Sequence, residues 1–148
     1  MREIIFRGKR VDNGEWVEGG SLLQFLMIGG CKKMSIAPRG TKPHIKKDGQ
    51  VIQAEEIFPE TVGQYTGLTD KNGTRIFEGD IVKITGFHTT AIAAVKYGSP
   101  SEKSRSWGWY FDDNNGHTYF LESQAFCKDY NAIIIGNIHD NPELLKGE

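Results

Sequence analysis

The 148-residue chain carries only two cysteines, Cys31 and Cys127, far apart and without a C-x-x-C spacing. That leaves no disulfide framework to read and points to reduced thiols in a cytosolic protein. No long apolar run is present. The longest, Leu22 to Ile28, is broken by Gln24 and falls well short of the roughly 20 residues that span a bilayer. The N-terminus, Met1 to Arg7, lacks the apolar core of a signal peptide, so a cytoplasmic protein is expected. There is no excess of one charge: 18 Lys and Arg face 19 Asp and Glu, for a net charge of -1 and a pI near 6.4. A domain built around phosphate-backbone binding is usually basic overall, so nucleic-acid binding would have to rest on local patches. Catalytic fingerprints are missing as well: no Gly-x-Ser-x-Gly elbow, P-loop or dinucleotide-binding glycine motif occurs.

What the chain has is glycine and short apolar runs. Its 18 glycines sit mostly in turns, a distribution that favours many short strands over a few long helices. Four Asn-Gly or Asp-Gly pairs punctuate it: Asn13-Gly14, Asp48-Gly49, Asn72-Gly73 and Asn115-Gly116. Each pair suits the two positive-φ positions of a type I′ turn, and hairpins are expected around the first, third and fourth. Residues 12–19 and 70–79 form a faint repeat, Asn-Gly followed by a short strand and Glu-Gly, which similar hairpins explain without duplication.

In the second half, runs at 80–85, 91–97, 107–111, 119–121 and 132–138 read as five strands, fitting a small antiparallel barrel or sandwich. Ile133-Ile134-Ile135 does not alternate with polar residues, so a strand there is apolar on both faces and needs a cover, from the N-terminal half or another subunit. Helix is scarce. Asn141-Pro142-Glu143 makes a good helix start, and residues 121–128 suit a second short helix. Residues 29–49 carry Lys32, Lys33, Arg39, Lys42, Lys46 and Lys47 with two prolines and no acid before Asp48, and read as an extended basic arm or loop.

Several segments together resemble a known family. Gly63-Gln64-Tyr65-Thr66-Gly67-Leu68 leads into Asp70-Lys71-Asn72-Gly73 and then Ile76-Phe77-Glu78-Gly79-Asp80-Ile81-Val82. That string is similar to the signature of the YopX-like proteins of bacteriophages and prophages. The opening, Phe6 to Arg10 with Gly14 to Gly19, and the ending, Ile135 to Leu145, are similar to that family's two termini. The resemblance covers essentially the whole chain, though residues 21–60 and 98–131 carry little of it. It implies a mostly-β fold whose C-terminal half resembles an SH3-like barrel. It implies no activity, because the family's function is uncharacterised, and no catalytic residue carries over.

Candidate sites are weighed against plainer readings. With Gly116 at the sixth position of a calcium loop, Asp113, Asn115 and Glu122 fall at the third, fifth and twelfth, but Phe111 takes the first and strands flank the loop, so an acidic hairpin turn is favoured. His44, His88, His117 and His139 show no paired zinc spacing. Adjacent carboxylates such as Glu55-Glu56, Glu78 with Asp80, and Asp112-Asp113 read as turn acids, not a converging acid–base pair. His139-Asp140 reads as the approach to the C-terminal helix. Cys127 has only Lys128 nearby to activate it. The aromatics are more suggestive. Trp107, Trp109 and Phe111 alternate on one face of a strand, with Tyr110 on the other and Lys103 and Arg105 just before. Such rings either fill a small core or form a stacking platform for nucleic acid or an extended peptide.

The expected protein is all-β: an N-terminal β-rich region over residues 1–60 with the basic arm, and an SH3-like barrel over 61–148 with a short terminal helix. The expected role is a non-enzymatic phage accessory protein, without cofactor or metal, that binds a protein partner and self-associates. Its binding residues would be Trp107, Trp109 and Tyr110 with Lys32, Lys33, Arg39, Lys42, Lys46 and Lys47. One alternative is nucleic-acid binding through the basic arm and aromatic strand. Another is a metal-dependent enzyme acting on nucleic acid through Asp112, Asp113 and His117.

Overall fold

A computed structural model describes residues 3–26, 32–38, 42, 44–47, 51–86, 89–100, 103, 107–121 and 124–146. The chain divides into two compact units, Met1–Gln64 and Tyr65–Glu148.

The first unit opens with β1 (Phe6–Lys9) and β2 (Trp16–Gly19), paired antiparallel with Lys9 opposite Trp16 and Phe6 opposite Gly19. Next come β3 (Ser21–Leu26), β4 (Lys32–Ala37), the two-residue strands β5 (His44–Ile45) and β6 (Val51–Ile52), and β7 (Glu55–Ile57). A 3-10 turn, Pro59–Thr61, leads into β8 (Gly63–Thr69), whose first residues pair with β1. Strand β4 lies between β3 and β7, and Ile36, Ala37 and Ile57 are buried together with Ile5. The basic segment is thus corrected: residues 32–37 form a central strand, not a loop. Lys-Lys-Met-Ser-Ile-Ala holds enough apolar side chains to sit in a sheet, and its two lysines fall at the end away from the buried residues. The 44–45 and 51–52 strands pair with each other and shorten the arm further.

The second unit holds the rest of β8, then β9 (Arg75–Phe77), β10 (Asp80–Gly86), β11 (Thr89–Gly98), β12 (Gly108–Asp112), β13 (Thr118–Phe120), the helix α1 (Gln124–Asp129), β14 (Ile133–Asn137) and a 3-10 turn, Pro142–Leu145. Five strands form an antiparallel sheet in the order β13-β12-β11-β10-β14. One face of it covers a core of Ile76, Val82, Val95, Phe111, Leu121 and Cys127, among others, onto which Trp109, Tyr130 and Ile134 pack. The described pairings leave the sheet open between β13 and β14. All-β is therefore the statement that the structure carries; the SH3-like closure implied by the resemblance is not among these pairings.

Hairpins form where the Asn-Gly pairs at 13, 72 and 115 lie, but not with type I′ turns. Gly14, Gly73 and Gly116 take positive φ, whereas Asn13, Asn72 and Asn115 do not. At the second hairpin the Gly73 N–H donates to the Asp70 carbonyl at 3.0 Å and the Asp70 N–H to the Thr74 carbonyl at 2.8 Å. That is a type I turn followed by a left-handed glycine, the usual form once the loop exceeds two residues. Asp48-Gly49 lies outside the described residues. The C-terminal segment also differs from expectation. It makes a 3-10 turn, and Asn141 does not cap it with its side chain; the Asn141 Oδ1 instead accepts the Asn137 N–H at 3.3 Å.

Candidate functional site

The sheet of the second unit positions the aromatic residues by register. Tyr97 stands opposite Trp109 across β11 and β12, and the next pair is Gly98 with Gly108. The Tyr97 and Trp109 rings meet edge to face, 4.9 Å between centroids at 61°, a geometry that the ring quadrupoles favour. Trp109 is half-buried against the core, and Phe111, two residues on, is fully buried. Trp107 precedes the strand and stays 74% exposed, and Tyr97 is 59% exposed. A methyl group on Gly98 would sit 3.7 Å from Trp107 Cζ3, so the Trp107 ring lies over that bare stretch of backbone.

The expected single aromatic face is therefore divided. Phe111 and much of Trp109 build the core, while Trp107 and Tyr97 form a surface on it. Tyr110 points to the opposite face, where it meets Phe120 edge to face at 6.5 Å, and takes no part in this surface. Tyr97 was not among the residues expected from sequence. The register that sets it against Trp109 depends on the length of the connection between Gly98 and Gly108, which has no turn motif to fix it.

The acidic hairpin is brought together, but inwardly. The Asp112 carboxylate accepts from Lys96 Nζ at 2.7 Å and from the Asn114 N–H at 2.9 Å. Asp113 accepts the N–H groups of Asn115 and His117 at 2.8 and 3.1 Å, and its second oxygen lies 2.9 Å from His117 Nδ1. Burial pushes the Asp112 carboxyl up, but the Lys96 hydrogen bond, the Asn114 N–H and the Lys96 charge outweigh it and leave it below the ordinary value. Asp113 follows the same balance, with Asn115 and His117 offsetting burial. Both carboxylates are engaged in holding the turn, and the Lys96 ammonium stands where a cation beside Asp112 would go. Among the described residues, no three His, Cys, Asp or Glu side chains cluster as a metal site.

The remaining candidates scatter. Lys33 lies 3.8 Å from Glu56 on the neighbouring strand. Lys42, Lys46 and Lys47 are exposed. Lys32 belongs to β4, its side chain outside the description, and Arg39 lies outside the described residues. Cys127 is a buried free thiol whose pKa is raised, first by burial and then by the Asp70 charge, the reverse of what a nucleophile needs. His139 and Asp140 lie in a turn where both N–H groups donate to Asn137 Oδ1, at 3.0 and 2.9 Å.

Charge is unevenly divided. The second unit, which holds the aromatic surface, has eight Lys and Arg against eleven Asp and Glu, a net -3; the first has ten against eight, a net +2.

Comparison with known proteins agrees with this architecture. A family model described as YopX protein matches residues 5–146. The crystal structure of protein EF1440 from Enterococcus faecalis is similar, with a TM-score of 0.51 and 24% identity over 96% of this chain and 97% of that one. At that identity the likeness speaks for the fold alone. No curated protein matches the sequence, and neither similarity carries the name of an enzyme. No helix among the described residues is long and apolar enough to cross a membrane.

Proposed function

The chain belongs to the YopX family, and we propose that it is a non-enzymatic accessory protein of phage or prophage origin that binds a protein partner through Tyr97, Trp107 and Trp109. The observation that carries this reading is Trp107, 74% exposed beside a Tyr97–Trp109 pair whose indole packs on the core. Exposing an indole is unfavourable unless something covers it, and aromatic side chains are the usual anchors of protein recognition. The net -3 of this unit supports a protein over a nucleic acid as the partner.

The same reading includes self-association and a place in the cytoplasm. Ile135 and Ile138 are 37% and 38% exposed, which supports association through a side-chain face. Light scattering over a concentration series tests this part, and a monomer mass throughout overturns it. The buried free thiol of Cys127 fits a reducing compartment.

The decisive experiment is affinity capture of a binding partner from bacterial lysate, with and without nuclease, using the wild-type chain and Trp107→Ala. A protein retained after nuclease by the wild type and lost from the variant supports the reading. Retention that ignores the substitution overturns the aromatic site. Retention only without nuclease moves the function to nucleic acid and attention to Lys42, Lys46 and Lys47.

A further inference from the structure

The register places acids at the same end of the sheet as the aromatic surface. The Gly79 N–H donates to the Val95 carbonyl at 2.9 Å, and the Ile138 N–H donates to the Gly79 carbonyl at 2.8 Å. Val95 is two residues before Tyr97, roughly 7 Å along the strand. The Glu78–Gly79 turn and the segment after Asn137 therefore lie at the Tyr97 end, and the terminal 3-10 turn packs on β11. Glu78, Asp140 and Glu143 are all exposed there. Of the described cations nearby, Lys96 is engaged by Asp112, while Lys103 on the connection between the strands and Lys146 after the terminal turn are exposed.

Exposed aromatic faces beside carboxylates make a receptor for a cation: the ring quadrupole attracts it, and the acids add longer-range attraction without needing a fixed geometry. The chain uses the same chemistry internally. The Arg75 guanidinium lies 5.8 Å from the centroid of the Tyr65 ring, and the Arg7 guanidinium 4.6 Å from that of Trp16.

We infer that the surface formed by Tyr97, Trp107 and Trp109, with Glu78, Asp140 and Glu143 at the same end of the sheet, takes a cationic segment of its partner, an arginine- or lysine-rich peptide whose side chains stack on the exposed rings. This rests on the proposed protein-binding role of the aromatic surface and specifies its ligand. Arginine suits it better than lysine, because a planar guanidinium stacks on an indole while its edges remain free to meet carboxylates.

The test titrates the full chain with three synthetic peptides of equal length, one rich in arginine and lysine, one rich in acids and one neutral and apolar, and with a single-stranded oligonucleotide. Anisotropy of the labelled probe reads binding. The expected result is preferential binding of the basic peptide, weakened about tenfold by Trp107→Ala and again by Glu78→Gln with Asp140→Asn and Glu143→Gln, and falling as salt rises. Circular dichroism checks that each variant folds; all these positions are exposed. Trp107-dependent binding of the neutral peptide alone overturns the cationic ligand and leaves the protein-binding role standing. Equal or tighter binding of the acidic peptide or the oligonucleotide overturns the inference, as does a failure of every peptide to bind. If the lysate partner is kept by Trp107→Ala, the role itself fails, and that outcome is independent of the peptide series.

Discussion

The carboxylate of Asp70 accepts the N–H of Ile134, 64 residues later in the chain, at 3.1 Å. Its other oxygen accepts the N–H groups of Asn72 and Thr74, both at 2.9 Å. The adjoining Lys71 N–H donates to the Ala132 carbonyl at 2.8 Å. One turn thus satisfies itself and engages the start of the outer edge of β14, a strand whose other edge pairs with β10. Sheet edges left open invite pairing with other chains, so self-association by strand addition at β14 would have to displace this clasp.

Replacing Asp70 should therefore destabilise the chain strongly. The side chain is 5% exposed, and Asp70→Ala leaves three N–H groups without their acceptor, a loss of about 2–4 kcal/mol. Asp70→Asn keeps one acceptor oxygen but turns an amide donor toward a donor, so it should recover only part of the loss. Urea denaturation of the full chain measures both. A loss for Asp70→Ala below about 1 kcal/mol would show that the clasp is dispensable.

Gly19 should tolerate no side chain. A methyl group there would overlap the Ala37 carbonyl and stand 2.7 Å from Ile36 Cγ2, because β2 and β4 approach at that point through backbone alone. Gly19→Ala should cost about 1–3 kcal/mol by overpacking. Gly14 is the contrasting case: nothing lies within 4 Å of the added methyl, and the penalty arises only from its φ of +71°. Gly14→Ala should cost about 1–2 kcal/mol, the strain of a left-handed alanine. Restoring asparagine-like tolerance at the position, with Gly14→Asn, should recover part of the Gly14 loss, but Gly19→Asn should be worse than Gly19→Ala. The thermal midpoints of these variants check the order.

How much of this was legible beforehand follows from what each residue answers to. The hairpins around residues 13, 72 and 115 and the five later strands depend on local turn chemistry and apolar runs, and both are written in consecutive residues. The turn type was not, because a glycine's positive φ is indicated by its identity, whereas that of the preceding asparagine is decided by loop length. Lys32 to Ala37 read as a loop because lysines and prolines dominate a wider window, yet Met34 and Ile36 were enough to seat the strand between two others. Trp109 and Phe111 versus Trp107 could be separated only by knowing where β12 begins. The clasp on β14 joins residues far apart in sequence, which no local pattern carries.

Acid should weaken the hairpin that Asp112 and Lys96 hold. The folded-state pKa of Asp112 lies below its ordinary value of 3.8, so the native state favours the ionised form. That contribution is fully present above the unfolded pKa and disappears as pH falls through the lower folded one. Lys96→Met removes the hydrogen bond and the charge that cause much of the lowering. The wild type should exceed Lys96→Met by up to about 1 kcal/mol at pH 7, and the gap should close in acid, as pH falls from the ordinary value of 3.8 through the lower folded-state one. Urea titrations at neutral and acid pH read it; a gap that persists unchanged in acid would mean that the methylene stem of Lys96, not its charge, is what matters.

Cys127 should behave as a protected thiol. It is fully buried, and burial together with the Asp70 charge raises its pKa, which lowers the thiolate fraction at any given pH. With Cys31→Ser to isolate the signal, a thiol-reactive disulfide reagent at pH 8 should label the native chain about 100-fold more slowly than the chain in urea, since reaction must wait for the core to open. Labelling should also track stability, so a variant weakened elsewhere, such as Gly19→Ala, should react faster only if opening of the second unit is coupled to the first. Rapid stoichiometric labelling of the folded wild type would overturn the burial argument and return Cys127 to consideration as a reactive group. A rate unaffected by Gly19→Ala, although its lowered thermal midpoint shows that variant to be weakened, would identify the two units as independent folding bodies.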